Sequence, residues 1–176
     1  MSLFRDVVAE LESRSIPHAL IGAAAMAIHG VSRATADVDI LVLDPRVLAR
    51  ETWVAFERRG VELRLLKGDF DDPLAGSVRL VLDPSVVDVV VGRFAWQRQL
   101  IDEAVRCSTG EVDLPVVRPA GLVLLKLHAG SARDAWDARA LLEAADDKQP
   151  LIGEIERLLP ALPAESRRLW ERVRSE

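Results

Sequence analysis

The sequence predicts an α/β (α+β) fold, a sheet flanked by helices and followed by an all-helical C-terminal subdomain. Short β-branched runs such as VDILVL and VVDVVV alternate with segments of helical periodicity as far as Val117. From Pro119 onward only helical periodicity remains. The chain has 176 residues, 49% hydrophobic and 29% charged, enough for one sizeable core. The shift near Pro119 divides it into an α/β core, 1–118, and a C-terminal helical subdomain packed on that core, 119–176.

Leu3, Phe4, Val7, Val8 and Leu11 fall at helical spacing, so the first helix runs from Leu3 to Arg14. Pro17 breaks it, and His18 to Ile21 reads as a strand ending at Gly22. The alanine-rich Ala23 to His29 forms a helix with Gly30 at its C′ position. Ala36 to Leu43 is a strand, and Asp44-Pro45 caps a helix reaching about Arg59. Val61 to Leu66 is a strand and Lys67 to Gly76 a loop. Val78 to Leu82 and Val86 to Val91 form a hairpin across Asp83-Pro84-Ser85. Phe94 to Ala104 is helical, and Val112 to Val117 a strand suited to pair with Val105 to Ser108. Four helices complete the chain: Ala120–Ala129, Arg133–Ala145, Leu151–Leu159 and Glu165–Arg174.

A net charge of −5 argues against a dedicated nucleic-acid binder, whose footprint is basic. The single Cys107 excludes an intrachain disulfide and fits a reducing compartment. The segment Met1 to Glu12 carries Asp6, Glu10 and Glu12, unlike a secretory signal. No apolar run approaches the ~20 residues of a membrane span. The expectation is a soluble cytoplasmic protein with no membrane partner.

The chemistry concentrates in IGAAAMAIHGVSRATADVDILVL. Asp37 and Asp39 stand at i and i+2 on a strand, so both point to one face, about 7 Å apart along it. Bare carboxylates entering a core are costly unless a cation or hydrogen bonds neutralise them. Asp88 lies alone among valines in VVDVVV. Beside the first strand it completes a three-carboxylate cluster; at a sheet edge it pairs with an arginine or caps a turn. Hard oxygen ligands of this kind favour Mg²⁺ or Mn²⁺ over zinc.

The order of these features, with G-x-x-R-x-T-x-D-x-D from Gly30 to Asp39, resembles the nucleotidyltransferase superfamily of the DNA polymerase β fold. The Ala-rich helix with Arg33 and Thr35 is similar to its small prokaryotic minimal members, among them the AbiEii-like toxin components of toxin–antitoxin pairs. The segment GLVLLKLHAGSARDAWDARALL, with Lys126, Arg133, Asp134 and Asp137, resembles that group's K…(R/K)D-x-x-D helices. Together these matches span roughly 17 to 142.

The resemblance implies a small mixed sheet flanked by helices, an NTP substrate and two Mg²⁺ (or Mn²⁺) ions. It implies that Asp37, Asp39 and Asp88 are metal ligands, with Asp88 also receiving the acceptor proton. Gly22 and Ala23 would present backbone N–H groups and a helix N-terminus to the triphosphate. Arg33 and Lys126 would neutralise phosphate, Thr35 would contact the nucleotide, and Asp134 and Asp137 would support the site. The acceptor is a hydroxyl on RNA, protein or a small molecule, and a toxin–antitoxin partner protein is implied as well. The family turn is usually Gly-Gly or Gly-Ser, whereas here it is Gly22-Ala23. That departure motivates an alternative, a catalytically weakened member acting as a binding or antitoxin partner. A metal-dependent phosphohydrolase is a third reading of the same carboxylates.

Plainer roles stand beside these. Arg33 is also placed to pair with Asp37 or Asp39, and Thr35 to act as a turn hydroxyl. Asp134 and Asp137 share one helical face, where a solvated surface with Arg133 paired to Asp137 accounts for them. Lys126 interrupts an apolar helix and is expected to snorkel to the surface. His29 and His128 read as helix-end or packing residues. Asp69, Asp71 and Asp72 form a solvated turn lacking Ca²⁺-loop spacing. Trp53, Trp96, Trp136 and Trp170 read as core or interface anchors.

Overall fold

The computed structural model describes residues 2–32, 37–69 and 74–175. Arg33 and Thr35, and with them Asp71 and Asp72, lie outside these described residues. A seven-stranded mixed sheet is flanked by helices, as expected. Its strands are β1 (His18–Ile21), β2 (Asp37–Val42), β3 (Glu62–Lys67), β4 (Gly76–Leu82), β5 (Ser85–Val91), β6 (Val105–Ser108) and β7 (Asp113–Val116), in the order β3-β4-β5-β2-β1-β7-β6. β2 runs parallel to β5, and β1 parallel to β7; the other neighbours are antiparallel. The predicted hairpin forms β4 and β5, with a cis peptide at Asp83-Pro84 in its turn.

The alternation of β5 shows what the sheet separates. Val87, Val89 and Val91 are buried, while Val86, Asp88 and Val90 on the other face are half-buried. Helix α1 (Leu3–Ser13) packs on β5 and buries Leu3, Phe4, Val7, Val8 and Leu11. Ile40, Leu41 and Val42 are fully buried, whereas Asp37, Val38 and Asp39 at the start of β2 are not. The polar end of β2 therefore lies at the rim of the core.

Helix α2 (Gly22–Ile28) follows β1 directly and stops at Gly30, whose φ of +87° matches the C′ expectation. The long helix predicted from Asp44-Pro45 to Arg59 is replaced by two 3₁₀ turns, Pro45–Leu48 and Arg50–Trp53, and the short α3 (Val54–Glu57). Asp44 does cap, accepting from the Arg46 N–H at 2.9 Å. Thr52 Oγ1 then donates to the Arg46 carbonyl at 2.7 Å, and Trp53 Nε1 to the Val47 carbonyl at 2.7 Å. These side chains take carbonyls that a continuous helix would use, and Trp53 becomes fully buried.

Helix α4 (Ala95–Asp102) stands between β5 and β6, and α5 (Pro119–Ala129), α6 (Ala132–Glu143), α7 (Lys148–Leu158) and α8 (Ala164–Ser175) follow the last strand. Helix α5 is apolar on nearly every side, as a helix enclosed by neighbours must be. It packs against α2, α6, α7 and α8. A Cβ on Gly121 would stand 2.6 Å from Val117 Cγ1 and 3.0 Å from Leu100, so glycine lets α5 approach α4 closely. Helix α7 starts three residues earlier than its apolar period suggested, because Asp147 accepts from the Gln149 N–H at 3.0 Å and Pro150 sits in the first turn. Trp96 and Trp170 are buried anchors, but Trp136 is 58% exposed and belongs to no core. Among the described residues, no helix is long and apolar enough to cross a membrane.

Candidate active site

Strand register assembles the site. Arg79 of β4 stands opposite Asp88 of β5, Asp88 opposite Asp39 of β2, and Asp39 opposite Ile21 of β1. Arg79, Asp88, Asp39 and Ile21 thus form one row across four adjacent strands, with neighbouring strands about 4.8 Å apart. Asp37 lies two residues before Asp39, on the same face. The sheet brings together the three carboxylates that the sequence singled out from two distant segments.

Arg79 binds two of them. Its Nη2 donates to Asp37 Oδ2 at 2.6 Å and its Nη1 to Asp88 Oδ2 at 3.1 Å. The sequence reading missed this arginine; its signal, a charge in the alternating strand GSVRLVL, becomes meaningful only once the register is known. The plainer expectation for Asp88, an arginine partner, therefore holds alongside the cluster. Burial pushes the Asp88 carboxyl above the usual carboxylate range, and Asp37 adds to this, while Arg79 opposes it. Arg79 in turn is held firmly in its charged form, first by its hydrogen bond to Asp37.

Asp39 faces the turn between β1 and α2. Gly22 has φ +66°, and a Cβ there would fall 2.0 Å from Asp39 Oδ2. Only glycine satisfies both the backbone angle and the carboxylate lying against it. Ala23 is buried, so its methyl is turned into the protein.

A cleft of about 220 Å³ opens beside Gly22 and Asp39, walled by Ile21, Val90, Leu122 and Lys126. Lys126 does not snorkel. Its Nζ meets Asp134 Oδ1 at 3.0 Å and Asp137 Oδ2 at 2.7 Å. Nor do the two aspartates form a solvated surface, since Asp137 is fully buried and Asp134 largely so. The reason is the tight α5–α6 turn, which folds one helix onto the other. Gly130, at φ +75°, ends α5. Ser131 then caps α6, its Oγ accepting from the Asp134 N–H at 3.1 Å while Asp134 Oδ2 accepts from the Ser131 N–H at 3.2 Å. The S-x-x-D spacing of Ser131 and Asp134 is the sequence signal of this capping box. Burial raises the Asp134 pKa, but Ser131 and Lys126 outweigh it and hold the carboxyl below its ordinary value.

His29 Nε2–H donates to the Val117 carbonyl at 2.9 Å, the helix-end role expected of it. His128 packs edge-on against Phe94 and Trp96, with centroids 5.4 and 5.3 Å away. Gln97, also absent from the sequence reading, is fully buried and fixes the entry to α4. Its Oε1 accepts from the Arg93 and Phe94 N–H groups at 2.6 and 2.9 Å.

The oxygen-only donor set of Asp37, Asp39 and Asp88 fits Mg²⁺ or Mn²⁺. Among the described residues, no three carboxylate, imidazole or thiol groups surround a common point as the side chains stand. Arg79 bridges two of the three carboxylates instead.

No protein-family model and no curated protein matches the chain. Its fold is nevertheless shared with solved nucleotidyltransferases. The antibiotic-resistance factor ANT(2'')-Ia in solution aligns with a TM-score of 0.55 at 13% identity, covering 99% of this chain and 96% of its own. A crystal structure of ANT(2'')-Ia with adenylyl-2''-tobramycin aligns at 0.56 and 13% identity, covering 90% and 95%. The lincosamide antibiotic adenylyltransferase LnuA, bound to lincomycin, aligns at 0.53 and 12% identity, covering 81% and 96%.

Proposed function

We propose that this protein is a metal-dependent nucleotidyltransferase that moves a nucleoside monophosphate from an NTP to a hydroxyl acceptor and releases pyrophosphate. The observation that carries the reading is the convergence of Asp37, Asp39 and Asp88 on one sheet face beside the Gly22 turn. The fold shared with ANT(2'')-Ia and LnuA supports it. Those proteins' antibiotic ligands make a small-molecule hydroxyl the first acceptor to test, ahead of RNA or protein. A toxin role with a partner protein belongs to the same proposal, with a different acceptor.

In this reading Asp37, Asp39 and Asp88 are the residues that would hold the divalent ions. When bound, Mg²⁺ or Mn²⁺ supplies charge neutralisation for the triphosphate and alignment of the acceptor with the α-phosphorus. The acceptor oxygen bonds to that phosphorus as the bond to the bridging β-phosphate oxygen breaks, and pyrophosphate departs. Asp88 receives the hydroxyl proton; its burial raises its basicity toward that task. The Gly22-Ala23 turn offers backbone N–H groups to the phosphates, and Gly22 leaves room for the Asp39 carboxylate. Arg33 and Thr35 belong to the same nucleotide-binding proposal. Lys126 contributes positive charge to the cleft wall while Asp134 and Asp137 orient it.

Asp37→Ala and Asp39→Ala are expected to abolish transfer of labelled nucleotide in the presence of Mg²⁺ and to leave the circular dichroism spectrum unchanged. Undiminished turnover in either variant would overturn the assignment. Free phosphate released from NTP without a labelled acceptor would point to hydrolysis instead. A second reading, a weakened member acting by binding, is favoured by one observation: Arg79 already bridges two of the three carboxylates. Calorimetric titration with Mg²⁺ and each NTP separates the two, since the binding role predicts no nucleotide uptake.

A further inference from the structure

We propose that Arg79 is a built-in counter-ion occupying the cation position between Asp37 and Asp88, and that a divalent ion binds these carboxylates only when its guanidinium leaves. The inference rests on the reading of Asp37 and Asp88 as metal ligands. It begins from register, because β4 places residue 79 opposite Asp88 and on the face that carries Asp37 and Asp39. A single guanidinium then spans both carboxylates, one nitrogen on Asp37 Oδ2 and the other on Asp88 Oδ2. Those are two of the carboxylates that would hold the ion.

A guanidinium and a dication cannot hold the same pair of oxygens, since their like charges would stand within a few ångströms of each other. Without any cation, three carboxylates on adjacent strands would repel one another. Arg79 offsets that repulsion in the resting protein by bridging Asp37 and Asp88. Its permanent charge and planar fork suit it to two carboxylates at once, as a lysine's point charge would not. It can also withdraw, for its side chain is 41% exposed and borders solvent. Asp39 lies against Gly22. The protein thus trades Arg79 for an ion at Asp37 and Asp88 during binding, and the two events are linked competitively.

The test is Mn²⁺ titration of the full chain without nucleotide, followed by calorimetry and by loss of the free-ion paramagnetic resonance signal. Arg79→Met is expected to bind Mn²⁺ about tenfold or more tightly than the unaltered protein, within the usual range of coupling between competing ligands. Arg79→Lys should fall between them, and it serves as the second variant if the methionine variant proves unstable. Adding Asp37→Asn to Arg79→Met should remove the gain. Equal or weaker Mn²⁺ binding by folded Arg79→Met and Arg79→Lys overturns the inference, and Arg79 then only positions the carboxylates. If the unaltered protein transfers nucleotide while Arg79→Met shows no gain, the counter-ion idea fails alone. If neither protein binds Mn²⁺, the metal-ligand reading falls with it.

Discussion

Gly22 shows how one residue can be set by two independent demands. Its positive φ excludes most side chains, and the Asp39 carboxylate fills the space a Cβ would need. Gly22→Ala therefore strains the turn by about 1–2 kcal/mol and displaces Asp39 as well. The expected outcome is a folded protein whose thermal midpoint falls by several degrees. Nucleotide transfer should drop by more than about tenfold, because misplacing a reacting group by an ångström is costly. Steady-state rates set beside a thermal melt check this, and full activity in the alanine variant would show that Asp39 does not depend on the turn. Of the residues named from sequence, Asp37, Asp39, Asp88 and Gly22 are found together, because strand alternation and a small-residue turn are local properties. Arg79 and Gln97 escaped notice, since nothing local to them shows what they face.

At the scale of elements, the α5–α6 hairpin is the clearest unit. Ser131 and Asp134 cap α6 reciprocally, and Asp134 and Asp137 together hold Lys126 of α5. Asp134 is more acidic in the folded protein than its ordinary 3.8. A carboxyl depressed by folding stabilises the protein above its unfolded pKa, and the contribution disappears as pH falls through the folded value. Asp134→Ala removes the bonds to Lys126 and to the Ser131 N–H and should cost about 2 kcal/mol at neutral pH. The gap between the two melting curves should be constant above pH 3.8 and should close as the solution becomes more acidic. A gap independent of pH would mean that the carboxylate charge contributes nothing there. The hairpin also explains why the sequence reading of Lys126 erred. Periodicity locates a lysine on an apolar helix, but only the sharp turn at Gly130 brings two carboxylates to it.

For the molecule as a whole, the carboxylate row and the α5 wall of the cleft lie on one continuous buried core. Ligands that bridge them should stabilise the entire fold. A non-hydrolysable Mg²⁺–NTP complex, taken as one ligand at about a hundred times its dissociation constant, would add about 2.7 kcal/mol by mass action. For a chain of this size that corresponds to a rise in melting temperature of about 5–10 °C. The nucleotidyltransferase reading expects this rise with ion and nucleotide together; no shift with any NTP would favour the binding role.

By itself, the sequence determined the elements and the chemistry available to them. Short β-branched runs marked β2 and β5, the aspartates within them were conspicuous for their desolvation cost, and helical periodicity marked the C-terminal segment. These are short-range properties, set by side-chain alternation and backbone preference along a few residues. Tertiary structure decided which charges meet. It placed Arg79 between Asp37 and Asp88, closed Lys126 onto Asp134 and Asp137, and broke the expected helix after Pro45 by giving its carbonyls to Thr52 and Trp53. Electrostatic partners depend on distances across strands and helices far apart in the chain, and those distances exist only once the sheet has chosen its order and register.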